Sequence, residues 1–148
     1  MGDLNQLDFV KNHRQIVKGP ILEVGSKDYG NTQDLRSLFP DCNYVGVDIE
    51  EGRGVDIKLD LISDVDAIIS KIGSHKFNTL FCLSVLEHCE NPFKMSFNIS
   101  SLINRNGIIF ISVPFSWRIH GYPSDYWRFT PEGVRKFFPD FNFDIYPR

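Results

Sequence analysis

A glycine or a carboxylate stands at the end of each of the first three apolar runs of the sequence, at Gly25, Asp48 and Asp60. A glycine after a buried strand lets the backbone turn sharply and lets a ligand approach the chain closely. A carboxylate at the tip of the second strand, about 20 positions further on, can accept hydrogen bonds from ribose hydroxyls. Together these residue types favour a nucleotide-type cofactor site over a plain strand–helix turn followed by a solvated aspartate.

The loop Gly25–Gly30 lacks the GxGxxG spacing with which a glycine-rich loop cradles a pyrophosphate. The absence of this spacing disfavours an NAD-dependent enzyme and favours a cofactor without phosphates. After the third apolar run, the Asp60 carboxylate could accept a hydrogen bond from an adenine amino group while the Leu61 N–H meets a ring nitrogen. An aspartate that merely flanks a helix explains Asp60 almost as well.

A second group of chemistry-bearing residues follows the fourth and fifth apolar runs. A histidine can take the proton from an acceptor hydroxyl or amine, so His88 and His120 are candidate bases. Aromatic walls with a few polar groups suit a small organic acceptor. The segment Pro114–Arg128 therefore supplies the candidate substrate-binding residues, which are His120, Tyr122, Asp125, Tyr126, Trp127 and Arg128.

Structural roles explain the same residues about as well. Tyr126 and Trp127 could simply dock the loop, Arg128 could pair with Asp125, and His88 could hydrogen-bond to backbone in a turn. A metal site is not predicted, because Glu87 and His88 are two adjacent ligands, too few for a site defined by the protein.

Short apolar runs that alternate with helical segments position these residues. The predicted strands are Ile21–Val24, Tyr44–Asp48, Val55–Leu59, Thr79–Leu83, Ile108–Val113 and Phe141–Tyr146. The predicted helices run from Asp3 to Val17, from Thr32 to Pro40, from Ser63 to Gly73, from Asn91 to Leu102 and from Thr130 to Phe138. This alternation is typical of an α/β fold whose parallel sheet is covered on both faces and binds ligands at the carboxyl ends of its strands. The link Ile49–Gly54 is shorter than a parallel crossover normally needs.

Composition limits the classes of protein that fit. The 148 residues are 42% hydrophobic and 24% charged, proportions of a single compact domain, 1–148, rather than a disordered chain. The net charge of −3 gives no footprint for nucleic acid or a membrane surface. Three cysteines without a CxxC spacing and no signal-peptide pattern predict a reduced, cytoplasmic protein.

Six segments of the chain resemble the class I S-adenosylmethionine-dependent methyltransferases, and more narrowly a bacterial branch with DYWRFTP after strand five. They read ILEVGS, YVGVDI, GVDIKLDL, LSVLEHCENP, NRNGIIFISVPF and HGYPSDYWRFTPEG, and they extend from about Ile21 to Phe138. The resemblance implies a three-layer Rossmann-like sandwich with the strand order 3-2-1-4-5-7-6. Because the chain stops at Arg148, we expect the order 3-2-1-4-5 plus a partial C-terminal strand, in an abbreviated sheet or a fragment.

The resemblance also implies S-adenosylmethionine as cofactor and methyl transfer to an oxygen or nitrogen of a small-molecule acceptor. The alternative is a non-catalytic, Rossmann-like binding subunit of a larger assembly. The implied cofactor contacts are Glu23 and Gly25 at the methionine moiety, Asp48 at the ribose, Asp60 and Leu61 at the adenine, and Leu83 and Ser84 at the sulfonium. Ser26 and Ile49, next to Gly25 and Asp48, are also predicted to bind the cofactor. Lys27 stands where the family usually has a second glycine, and its bulk is expected to narrow the cleft.

The last apolar run predicts an oligomeric contact. Phe141–Tyr146 alternates apolar and mostly polar residues, as an edge strand does. We expect it to lie beside strand five, whose uncovered edge would otherwise invite pairing. Two chains are then predicted to associate at that edge as a homodimer.

Overall fold

The computed structural model describes residues 4–30, 34–73, 76–121 and 123–146. Three residues to which a prediction was attached lie outside these ranges. They are Asp3 and Thr32, where two helices were predicted to begin, and the candidate substrate-binding residue Tyr122.

Five parallel strands of the described part of the chain form one sheet in the order β3-β2-β1-β4-β5, which confirms the predicted order. They are β1 (Ile21–Val24), β2 (Tyr44–Asp48), β3 (Ile57–Lys58), β4 (Phe77–Leu83) and β5 (Ile103–Ser112). All four residues of the central strand β1 are buried, as expected for a parallel strand covered on both faces.

The short link between β2 and β3 makes a parallel crossover without a helix. Residue pairs Val47–Ile57 and Asp48–Lys58 lie in register across the two strands. The link is fixed by Asp56, whose carboxylate accepts the Gly46 N–H at 2.7 Å and pairs with Arg36. The third strand is shorter than predicted because the Val55 N–H is bonded to the Gly52 carbonyl in a turn.

Within the described residues, four α-helices and three single-turn 3₁₀-helices cover the sheet. The α-helices are α1 (Leu4–Asn12), α2 (Val65–Ile72), α3 (Pro92–Leu102) and α4 (Pro131–Phe137); the 3₁₀-helices are Arg14–Ile16, Arg36–Leu38 and Leu86–His88. The predicted helix starts at Asn91 and Thr130 are confirmed, because each of these side chains caps its helix by accepting a backbone N–H of the first turn. At α2 the cap is Asp64 instead of Ser63, since Asp64 accepts the Asp66 N–H.

Two predicted helices are shorter because side chains compete for their backbone groups. The first ends at Asn12, and the ring of His13 bonds back to the Phe9 carbonyl. The helix expected before Pro40 is reduced to a single 3₁₀ turn in the described residues. There the Asp34 carboxylate accepts the Ser37 N–H, and the Ser37 hydroxyl donates to the Asp34 carbonyl.

The core has two parts, one on each face of the sheet. Leu22 and Val24 of β1 face a cluster formed with α2, α3 and α4, whereas Ile21 faces a cluster formed with α1 and the 35–39 segment. This alternation along one strand produces the three layers of an α/β sandwich.

The dipeptide Asn106–Gly107 is typical of a turn, but these residues lie inside β5. The pairing with β4 shifts between Phe77–Ile103 and Thr79–Ile108, so β5 carries an irregularity there and continues past it. Glycine suits position 107 of the strand, because a Cβ there would lie 2.6 Å from Ile103 Cγ1. The strand is therefore longer than the apolar run that predicted it.

The predicted partial C-terminal strand, Phe141–Tyr146, is wrong. In the described residues this segment pairs with no strand, and its aromatic side chains pack instead. Phe141 and Phe143 lie against the cluster on the α4 side, and the Tyr146 ring lies 5.1 Å from those of Phe9 and His13. Burial of aromatic surface therefore takes precedence over pairing at the edge of β5.

Candidate cofactor and acceptor site

A cavity of about 620 Å³ opens at the carboxyl ends of β1, β2 and β4. This is the edge of the sheet where an open α/β fold binds ligands, and the volume suits a nucleoside-sized molecule. Nine of the predicted site residues line it, namely Gly25, Asp48, Ile49, Asp60, Leu61, Ser84, His88, His120 and Tyr126.

The turn at Gly25 requires glycine for two reasons. Its φ of +72° is rarely adopted by other residues, and a Cβ there would lie 2.5 Å from Val85 Cγ2. The N–H groups of Gly25 and Ser26 both donate to the Val47 carbonyl, at 2.9 and 3.1 Å. The loop is thus folded back on β2 and leaves the cavity open above β1.

The Asp48 carboxylate is nearly buried and is held by backbone donors. The Lys27 N–H donates to Oδ2 at 3.1 Å and the Glu50 N–H to Oδ1 at 3.0 Å. Each carboxylate oxygen can accept more than one hydrogen bond, so both can still receive a ligand hydroxyl. This arrangement can bind a vicinal diol.

The loop after β3 is held in place by a residue that sequence reasoning missed. Asn98 of α3 is 1% exposed and donates to the carbonyls of Leu61 and Ser63, at 2.8 and 3.0 Å. The Asp60 carboxylate accepts the Ile62 N–H at 3.0 Å. An asparagine on the apolar face of a helix was the available signal, because a buried amide needs partners.

The narrowing of the cleft expected from Lys27 is not found. Its ammonium pairs with the Glu50 carboxylate and lies 4.8 Å from the centre of the Tyr29 ring. Its stem passes over Gly52, where a Cβ would meet Lys27 Cγ at 3.1 Å. Tyr29 lines the cavity in its place.

Three predicted cofactor residues do not line the cavity. The Glu23 carboxylate accepts the Tyr44 hydroxyl at 2.8 Å, and burial raises the pKa of Glu23 against the opposing effect of that hydrogen bond. Leu83 packs in the cluster on the α1 side. Ser26 is fully buried, and its Oγ has no hydrogen-bond partner among the described residues.

His88 and His120 meet in the wall of the cavity, with ring centres 4.8 Å apart at an angle of 84°. His88 Nδ1 lies 2.5 Å from the Ser124 carbonyl oxygen. His120 Nδ1 lies 3.2 Å from the Arg118 carbonyl oxygen and 3.2 Å from Asp125 Oδ2. Since these partners only accept, each Nδ1 carries the hydrogen and each Nε2 of a neutral ring keeps its lone pair.

Asp125 and Arg128 form a clamp that shapes the loop before α4. Arg128 donates to both carboxylate oxygens of Asp125, at 2.5 and 2.8 Å, and to the carbonyls of Trp117 and Arg118. Asp125 also accepts the His120 N–H at 2.8 Å. The Arg128 hydrogen bonds hold the pKa of Asp125 well below its usual range.

The clamp residues stand behind the cavity wall. Asp125 and Arg128 do not line the cavity, and neither does Trp127, whose indole N–H donates to the Cys89 carbonyl at 2.8 Å. The pairing of Arg128 with Asp125 and the docking of the loop by Trp127 are the structural roles that the sequence left open for them.

Glu87 was considered in the sequence only with its neighbour His88, and the structure adds His120. One ligand atom from each of the three residues lies within 4.8 Å of the other two. Glu87 is 1% exposed, and burial raises its pKa to about 7. Its Oε1 lies 4.0 Å from His88 Nε2, and its Oε2 has no hydrogen-bond partner among the described residues.

The fold is that of S-adenosylmethionine-dependent methyltransferases. A methyltransferase from Archaeoglobus fulgidus is similar with a TM-score of 0.62 and 18% identity, over 90% of this chain and 65% of that one. Burkholderia thailandensis 1,6-didemethyltoxoflavin-N1-methyltransferase has a TM-score of 0.62 and 14% identity, over 92% and 64%. An O-methyltransferase from a Brevibacillus brevis polyketide synthase has a TM-score of 0.52 and 18% identity, over 73% and 39%.

The chain thus spans less than two thirds of the length of these three relatives. No family model matches the chain, and no curated protein matches it. Within the described ranges, every helix is too short or too polar to cross a membrane.

Proposed function

We propose that the protein transfers a methyl group from S-adenosylmethionine to an oxygen or nitrogen of a small-molecule acceptor. The observation that carries this proposal is the cavity at the carboxyl ends of the strands, where Gly25 makes a turn that requires glycine and Asp48 presents a held carboxylate. The fold shared with methyltransferases supports the same cofactor.

The cavity residues divide into a cofactor part and an acceptor part. Asp48 accepts hydrogen bonds from the ribose hydroxyls, and the segment Asp60–Leu61, held by Asn98, contacts the adenine. The cofactor supplies an electrophilic methyl group on its sulfonium. The acceptor lone pair forms the new bond to that carbon as the carbon–sulfur bond breaks, with the two groups in line.

The acceptor part contains His88, His120 and Tyr126. An acceptor hydroxyl or amine loses its proton during transfer, and Nε2 of either histidine can receive it. The enzyme otherwise contributes alignment, since no covalent intermediate with the protein is needed.

Calorimetry with S-adenosylhomocysteine tests the cofactor site. Asp48→Ala should weaken binding tenfold or more, because a charged hydrogen-bond pair contributes roughly 1.5–3 kcal/mol. Glu51→Ala, which removes an exposed carboxylate close by in sequence, is the matched control. Equal affinities for the two variants would exclude Asp48 from the site, and no binding by the unaltered protein would overturn the proposed cofactor.

Turnover separates an enzyme from a non-catalytic binding subunit. Incubation with methyl-labelled S-adenosylmethionine and a panel of small phenols, carboxylic acids and amines should give acceptor-dependent label transfer. Tight cofactor binding without transfer to any acceptor would favour the binding subunit.

A further inference from the structure

We propose that Glu87, His88 and His120 bind a divalent transition-metal cation at the acceptor end of the cavity. Two imidazoles and one carboxylate are a ligand set that suits zinc, iron, cobalt or nickel. Each residue offers a ligand atom within 4.8 Å of the other two. The inference concerns binding by these side chains and is independent of the proposed methyl transfer.

The rings already have the orientation that metal ligands need. Nδ1 of His88 is turned to the Ser124 carbonyl, and Nδ1 of His120 is turned to Asp125. Metal-binding histidines usually donate their second ring N–H to a carbonyl or carboxylate, which fixes the tautomer and the ring plane. Both Nε2 lone pairs are therefore available for a cation.

Glu87 supplies a second, independent observation. It is 1% exposed, and its Oε2 has no hydrogen-bond partner among the described residues. A buried polar atom without a partner costs free energy, and this cost is larger when the group is charged. A cation held between this carboxylate and the two rings removes that cost.

The distances require a small closure. With metal–ligand bonds of about 2.0–2.2 Å, tetrahedral ligand atoms lie roughly 3.4 Å apart. Ligand atoms that now lie up to 4.8 Å apart must therefore approach each other by up to about 1.4 Å. His120 lies on a loop, which can supply that movement more readily than Glu87 and His88 on their buried 3₁₀ turn.

Three protein ligands leave coordination positions free, and the site adjoins the cavity because His88 and His120 both line it. A free position on that side can take an acceptor oxygen or nitrogen, as open metal sites do. A ring that holds the cation on Nε2 cannot also accept a proton there. The base role of the two histidines therefore belongs to the metal-free protein.

Metal titration of the tag-free, chelator-treated protein tests the inference. Zinc binding is measured by calorimetry, and cobalt binding by the visible absorption of the ion, which reports nitrogen and oxygen ligands. We expect one site per chain, with affinity at least tenfold weaker in His120→Ala. His13→Ala is the matched control, since His13 is a histidine outside the cluster and packs against Phe9.

Glu87→Gln keeps the shape of the side chain and removes its charge, and it should weaken zinc at least tenfold as well. Thermal unfolding monitors whether this buried variant folds, while His120→Ala changes a half-buried loop residue and keeps the test decisive. No zinc or cobalt binding by the unaltered protein, or equal affinity in His120→Ala and His13→Ala, would overturn the site. Binding of S-adenosylhomocysteine, measured separately, would be unaffected by that outcome.

Discussion

Gly25 carries two separate constraints, a backbone conformation and a close contact. Its φ is +72°, and a Cβ would lie 2.5 Å from Val85 Cγ2. Gly30 carries only the first, because its φ is +88° and nothing lies within 4 Å of its Cβ position. The pair therefore separates the cost of the conformation from the cost of displacing Val85.

We expect Gly25→Ala to reduce S-adenosylhomocysteine affinity at least tenfold and Gly30→Ala to change it far less. Both variants should lose about 1–2 kcal/mol of unfolding free energy for the left-handed conformation. Gly25→Ala should lose more, because Val85 must also move. Calorimetry and urea unfolding measure the two quantities, and equal losses in both variants would contradict the contact.

At the scale of elements, α3 positions the loop after β3 through a single side chain. The Asn98 amide donates to two carbonyls of that loop, those of Leu61 and Ser63. The loop carries the candidate adenine contacts, and β3 contributes only two residues to the sheet. The two hydrogen bonds from Asn98 therefore hold a loop to which the two-residue strand β3 gives little support.

Asn98→Ala should weaken S-adenosylhomocysteine binding several-fold and lower the unfolding free energy by about 1–3 kcal/mol, because the carbonyls of Leu61 and Ser63 lose their donor. Ser100→Ala is the control on the same helix, since the Ser100 hydroxyl donates only to the Ser96 carbonyl of α3 itself. The measurements are calorimetry and urea unfolding. Unchanged cofactor affinity in Asn98→Ala would show that the loop is positioned without it.

At the scale of the whole molecule, β5 is the edge of the sheet. In the described residues it pairs with β4 alone, and the C-terminal segment expected to cover it packs elsewhere. Ile108, Ile109 and Ile111 of this strand are only partly buried. An apolar edge with unpaired backbone groups is a ready template for pairing with another chain.

The sequence predicted a homodimer at this edge with Phe141–Tyr146 lying beside strand five. We propose that two copies of this chain associate through β5 itself. Light scattering at micromolar concentration should give twice the 17.1 kDa mass of one chain, falling toward that mass on dilution. A soluble, folded protein that keeps the single-chain mass throughout would contradict this association.

Local sequence patterns determined those strands and helix starts that depend only on residues close together along the chain. The buried strands β1 and β2 follow from short apolar runs, and the starts of α3 and α4 follow from Asn91 and Thr130. These features depend on neighbours within a few residues, so no distant contact was needed to predict them. The order of the sheet came from the resemblance to a family rather than from the strands.

Only the tertiary structure decided which contacts form between segments that are distant along the chain. The aromatic side chains of residues 141–146 pack against the core and α1. The segment therefore forms no strand, although its alternating pattern is typical of an edge strand. Lys27 turns to Glu50, and the cleft stays open. Glu87 and His88 meet His120 because the later loop docks on the turn after β4, where the Tyr126 N–H donates to the Glu87 carbonyl. The clamp of Asp125 and Arg128 holds His120 within that loop. Spacing along the chain cannot show that meeting, because it depends on where packing places a loop more than 30 residues away.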